Sequence, residues 1–171
     1  MARVGIIIGS DSDWPVMEPG YKQLREFGLE VEVLAASAHR TPERVREFAA
    51  GARRRGLEVI IAGAGAAAHL PGVVASFTTL PVIGVPIAGG ALKGLDALFS
   101  IVQMPPGVPV AAMAVDGGKN AALFALSILA LGDQAIADRL EEFRTAQADA
   151  VRAKDEVLQA RINGLAPSGS K

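Results

Sequence analysis

The sequence predicts an α/β protein, a doubly wound three-layer αβα sandwich built on a five-stranded parallel sheet. Three observations carry that reading. Five short, largely β-branched runs recur along the chain, each followed by a stretch with helical patterning, giving five βα units. The runs are apolar at consecutive positions, as strands covered on both faces are. Half of the 171 residues are apolar, with 19 glycines and only 5% aromatics, so the core is ample and its backbone contacts are tight.

The first strand is expected at 4–8, followed by a helix over about 14–27 that Pro19-Gly20 should kink or delay. A second strand at 31–34 leads to a helix at 42–55. Thr41 suits its N-cap and Pro42 its first position, while Gly56 suits the C′ position after the cations Arg53, Arg54 and Arg55. Strands at 59–62, 82–85 and 108–115 alternate with helices at 69–78, 92–102 and 119–131. Crossovers should be right-handed.

Helix 119–131 is apolar nearly all round, so its outer face needs cover from the terminal helix or from a neighbouring subunit. The terminal helix, 133–162, carries Ile136, Leu140, Phe143, Ala150, Val157 and Leu158. It would reach about 45 Å, longer than a small domain is wide. Part of its stripe is expected on another subunit, the alternative being a surface helix on its own domain. One domain, 1–162, and a disordered tail, 163–171, complete the organisation.

A net charge of −1 gives no electrostatic case for nucleic acid. The absence of cysteine excludes disulfides, thiolate catalysis and Cys-based metal sites. The N-terminus lacks a signal-peptide shape, and the longest apolar stretch, 121–131, is about half of the ~20 residues a membrane span needs. A soluble, cytoplasmic protein without a membrane partner is expected.

Chemistry in an open parallel sheet sits beyond the carboxyl ends of the strands, where the strand order switches. Three strand-to-helix loops there carry useful groups: Gly9, Ser10, Asp11, Ser12 and Asp13; Ser37, Ala38, His39 and Arg40; and the 62–72 loop with Ala64, Gly65, His69 and Leu70. Backbone N–H groups, serine hydroxyls and Arg40 favour a phosphate. The Asp13 carboxylate suits the two hydroxyls of a ribose, so a phosphoribosyl ligand is expected. Plainer roles compete: Asp13 as a helix cap, Ser10 as a turn closer, Arg40 paired with Glu43, and either histidine as a structural group.

Sharper motifs fail. Gly63-x-Gly65-x-x-Ala68 resembles a dinucleotide fingerprint, but the acidic residue about 20 positions on is missing. Asp11 and Asp13 lack the acceptor aspartate of a phospho-receiver. There is no P-loop and no nucleophile elbow.

Taken together, GSxSD, SAHRTP, AGxxxAAHLPG, VPI, LxGxDxLxSxVQMPxGVPV and NAAL resemble the class I 5-(carboxyamino)imidazole ribonucleotide mutases of de novo purine biosynthesis, also called the catalytic subunit of phosphoribosylaminoimidazole carboxylase. The resemblance runs from Arg3 to about Gln147. It implies a flavodoxin-like fold, a homo-octamer with sites at subunit junctions, and an isomerase that moves carbon dioxide from an exocyclic nitrogen to C4 without ATP, metal or biotin. It also implies His39 as catalytic residue, Ser10 and Asp13 as substrate ligands, Arg40 on the phosphate and His69 lining the site. Ala66 stands where a glycine is usual and Ala97 where a serine is; the 116–119 stretch is shorter than in some relatives. Class II carboxylases, which use free carbon dioxide, typically lack AHLP, so its presence favours the mutase.

Histidine, titrating near neutrality, can give a proton to the nitrogen and take one from the ring carbon within one turnover. Trapping carbon dioxide between those steps calls for a small, closed pocket, with the alanine-rich 63–68 loop and Leu70 as its apolar wall. The competing class is a non-catalytic nucleotide-binding or sensor module, which has no need of His39.

Overall fold

The computed structural model describes residues 3–165. Its strands are β1 (Val4–Ile8), β2 (Val31–Ala35), β3 (Val59–Gly65), β4 (Val82–Ile87) and β5 (Ala111–Ala112). The helices are α1 (Trp14–Glu26), α2 (Pro42–Gly51), α3 (Leu70–Ser76), α4 (Leu95–Val102), α5 (Gly118–Leu129) and α6 (Gln134–Leu165). The strands form one parallel sheet in the order β2-β1-β3-β4-β5, with Ile8 beside Ala35 on one side and Gly63 on the other. That is the flavodoxin-like order, and the chain reverses direction across the sheet between β1 and β3.

Two apolar layers sandwich the sheet. On one face Met17 and Leu24 of α1, Ala121, Ala125 and Leu126 of α5, and Ile136 and Leu140 of α6 pack on β1, β3 and β4. On the other, Val45 and Phe48 of α2, Leu70 and Val74 of α3, and Ala97 and Ile101 of α4 do the same. β1 and β4 are buried at every position, which accounts for their unbroken apolar sequences.

β2 departs from that expectation. It is an edge strand, half exposed along its length, with Glu32 paired to Arg55 at 3.0 Å. β5 is also shorter than the expected 108–115: Pro109 cannot donate to a ladder, and only Ala111 and Ala112 pair with β4.

Pro19 does not kink or delay α1, which runs unbroken through it. At the sixth residue of α1, Pro19 forgoes the bond its N–H would give the Pro15 carbonyl, and the burial of Met17, Gly20 and Leu24 around it offsets that loss. Gly20 has a different purpose: a Cβ there would sit 2.4 Å from the Gly118 carbonyl oxygen, so the two glycines let α1 and α5 cross backbone to backbone. The 42–55 helix is α2 followed by a tight turn at Arg53–Arg55, closed as expected by Gly56 at φ 91°. Thr41 is not a side-chain cap; its hydroxyl bonds the Ser37 backbone instead.

α5 is only partly enclosed. Its inner alanines and leucines are buried, but Phe124 is exposed on the outer side, next to a groove of about 240 Å³ against Leu140 and Phe143 of α6. α6 has 32 residues, about 48 Å. Beyond Phe143 every position through Gly164 is exposed. The helix runs three residues past the expected end at 162, so 163–165 are helical and not a disordered tail; the remainder of that tail lies outside the described residues. α4 presents Leu95, Phe99 and Val102 outward on one stripe. Among the described residues no helix is long and apolar enough to cross a membrane.

Candidate active site

The loops leaving β1, β2, β3 and β4 converge at the carboxyl edge of the sheet, around the β1–β3 switch. They enclose a cavity of about 660 Å³. Every site residue expected from the sequence lines it: Gly9, Ser10, Ser12, Asp13, Ser37, His39, Arg40, Ala64, Gly65, His69 and Leu70. The sequence reading missed the fourth wall, Ile87, Ala88, Gly89 and Gly90. Its signal was present: two glycines directly after a buried strand.

The β1 loop is ordered by its own side chains. A single helical turn, Asp11–Asp13, is held by a reciprocal cap: Ser12 N donates to Ser10 Oγ at 3.4 Å, and Ser10 N donates to Asp13 Oδ2 at 3.0 Å. Asp13 does not cap α1 with its side chain as expected: its carboxylate instead closes the Asp11–Asp13 turn from the third position, and the residue also stands on the cavity wall. Burial raises the Asp13 pKa above the usual carboxylate value, opposed by the N–H groups of Ser10 and Gly9.

The β2 loop is a closed turn. Thr41 N donates to Ser37 O at 2.9 Å, and Arg40 N to Ser37 Oγ at 3.2 Å. Residues 38–40 form the apex, so His39 and Arg40 project together. The guanidinium of Arg40 is exposed and does not pair with Glu43; among the described residues it has no polar partner.

The β3 loop supplies the second histidine. Ala66 sits at φ 51°, in the left-handed region that an alanine side chain disfavours. Two successive tight turns follow, Ala68 N to Ala66 O and His69 N to Ala67 O, both 2.8 Å. They drop His69 onto His39, with His39 Nε2 and His69 Nδ1 2.9 Å apart and the rings edge to face. Thirty residues apart in sequence, the two imidazoles form one hydrogen-bonded unit. In such a pair one facing nitrogen carries a proton and the other does not, which suits proton transfer. Among the described residues no group of three potential metal ligands gathers.

The expected small, closed pocket is not what one chain forms. The cavity is wide, and both imidazoles are solvent-exposed: the loops after β1, β3 and β4 line the mouth largely with serine, alanine and glycine, which leave it uncovered.

The chain is similar in sequence to proteins named N5-carboxyaminoimidazole ribonucleotide mutase. It is 59% identical over 84% of its length to the one from Pyrococcus abyssi, covering 83% of that protein. It is 56% identical to those from Thermotoga maritima, over 93% of this chain and 90% of the relative, and Mycobacterium tuberculosis, over 92% and 90%. The fold matches the crystal structure of Treponema denticola PurE at a TM-score of 0.81 and 31% identity, covering 91% of this chain and 97% of that one. Residues 3–150 match the family model described as AIR carboxylase, and with relatives this similar over nearly the whole chain, the protein belongs to the AIR carboxylase family.

Proposed function

We propose that this protein is a mutase of purine biosynthesis that converts 5-(carboxyamino)imidazole ribonucleotide to 4-carboxy-5-aminoimidazole ribonucleotide. The observation that carries the reading is the 2.9 Å contact between His39 and His69 on the wall of a cavity that also holds Arg40, Ser10 and Asp13. The names of the relatives described above support the same reaction.

The substrate's N–CO₂ bond breaks and the nitrogen gains a proton. The freed carbon dioxide waits against Ala64, Ala67 and Leu70. A C–C bond then forms at C4, and C4 gives up its proton to restore the aromatic ring. One proton is given and one taken, and the formal reduction of the transferred carbon is offset by the formal oxidation of C4, so the balance calls for no redox partner. His39 is the shuttle, His69 holds its ring, Arg40 with Ser10 and Ser12 takes the phosphate, and Asp13 takes the ribose hydroxyls.

The working form in this reading is a homo-oligomer, an octamer by family resemblance. The exposed stripe Leu95, Phe99 and Val102, the unsupported far half of α6 and the open cavity mouth all favour a second chain. Cytoplasmic location belongs to the same reading and rests on the sequence alone.

The test adds the mutase substrate to purified protein and follows imidazole carboxylation by ultraviolet absorbance. Turnover without ATP or added metal is expected. Tight binding without turnover would hand the site to a nucleotide-binding module.

A further inference from the structure

The fourth wall of the cavity is held from outside it. Asp116, in the segment between β5 and α5, grips the end of β4 on both sides of Ile87. Its backbone N–H donates to the Pro86 carbonyl at 2.8 Å, and its Oδ1 accepts from the Ala88 N–H at 2.8 Å. Its own carbonyl accepts from Gly118 N at 3.0 Å, at the start of α5. These bonds require Asp116 to adopt φ 58°, a left-handed conformation that aspartate tolerates better than most residues. Beyond the tether, Gly89 and Gly90 line the cavity in open space: a side chain at either would meet nothing within 4 Å, and Gly90 is itself at φ 58°.

From this arrangement we infer that Asp116 is a positioning residue for substrate binding, fixing the Ala88–Gly89–Gly90 wall through the Ala88 amide without touching the ligand. Two glycines without packing partners have many conformations open to them. The carboxylate removes that freedom at the point where the wall leaves the sheet. A charge-assisted bond is the strong form of such a tether. The inference rests on the mutase reading, since the effect is read as substrate affinity.

Two variants separate the carboxylate from the backbone. Asp116→Asn keeps an Oδ1 acceptor and tolerates the left-handed conformation, so KM should stay within about twofold of wild type. Asp116→Gly keeps the backbone free to adopt φ 58° and removes only the tether. It should raise KM by about 3- to 10-fold with kcat nearly unchanged, the scale of one lost hydrogen bond that acts indirectly. Amide hydrogen exchange at residues 87–90 is measured in the same proteins and should rise in Asp116→Gly alone. Unaltered exchange in that variant overturns the tether whether or not the enzyme turns over. Raised exchange with an unchanged KM overturns the positioning role. A wild-type protein without mutase activity sinks the functional reading instead, and the exchange data still decide the tether.

Discussion

His39 Nε2 lies 2.9 Å from His69 Nδ1, so the two histidines of the chain share one hydrogen bond across two loops. His39→Asn should keep the fold and bind ligand but lose at least ~10²-fold in turnover, the low end for acid–base catalysis. His69→Asn should cost less. Because the residues touch, the double variant should lose less than the product of the single losses. Single-turnover carboxylation, with ligand binding measured separately, checks this; near-normal turnover in a folded His39→Asn protein would move the shuttle to His69 or to bound water.

Arg40 lines the cavity, and among the described residues its guanidinium has no polar partner. Arg40→Ala should raise KM by about tenfold or more, since an arginine–phosphate contact is charge-assisted and often bidentate. Inorganic phosphate should compete with substrate in the wild type and far less in the variant. An unchanged KM places the phosphate elsewhere.

Ala66, at φ 51°, holds a conformation that glycine adopts freely. Ala66→Gly should stabilise the protein by about 0.5–1 kcal/mol, the left-handed strain relieved less the entropy that a glycine adds to the unfolded chain. Urea unfolding decides: a lower midpoint in the variant would mean that the strain is absent.

At the opposite end of the sheet Arg3 Nη1 donates to Asp133 Oδ2 at 2.6 Å and its Nε donates to Glu58. The hydrogen bond from Arg3 holds the Asp133 carboxyl below the usual carboxylate pKa. A depressed folded-state pKa contributes stability that is present above the unfolded value and is lost as pH falls through the folded one. Asp133→Asn should therefore lower stability near neutrality and flatten its decline in acid. Denaturation series between neutral pH and about pH 3 test it; parallel curves for the two proteins would show that the pair contributes nothing.

The fold was legible because its signals are local and redundant. β1, β3 and β4 are apolar throughout since helices cover both faces, and Pro42 and Gly56 mark their turns by backbone geometry alone. Edge strands carry weaker signals: nothing local says that Val33 faces solvent or that Pro109 cuts β5 to two residues. Pro19 misled because the packing of the residues around it, which no local signal shows, outweighs the hydrogen bond it removes. At the site, the chemistry-bearing residues announced themselves by type. The Ala88–Gly90 wall did not, because backbone glycines carry no chemistry of their own. The contact between His39 and His69 lies on no single loop and needs the β1–β3 switch to bring the two loops together.

α6 starts on the core at Ile136 and Leu140 and then leaves it. Most helical stability in proteins comes from packing an apolar face rather than from propensity, and the far half of α6 has no such packing in the single chain. Along one continuous rod, then, the free energy of opening should fall from nearly that of the whole domain at Ile136 to almost nothing near Gly164 in a lone chain. The helix would be a gradient of order, rigid where it begins and on the edge of melting where it ends, and whatever docks against its far half would set how much of it exists.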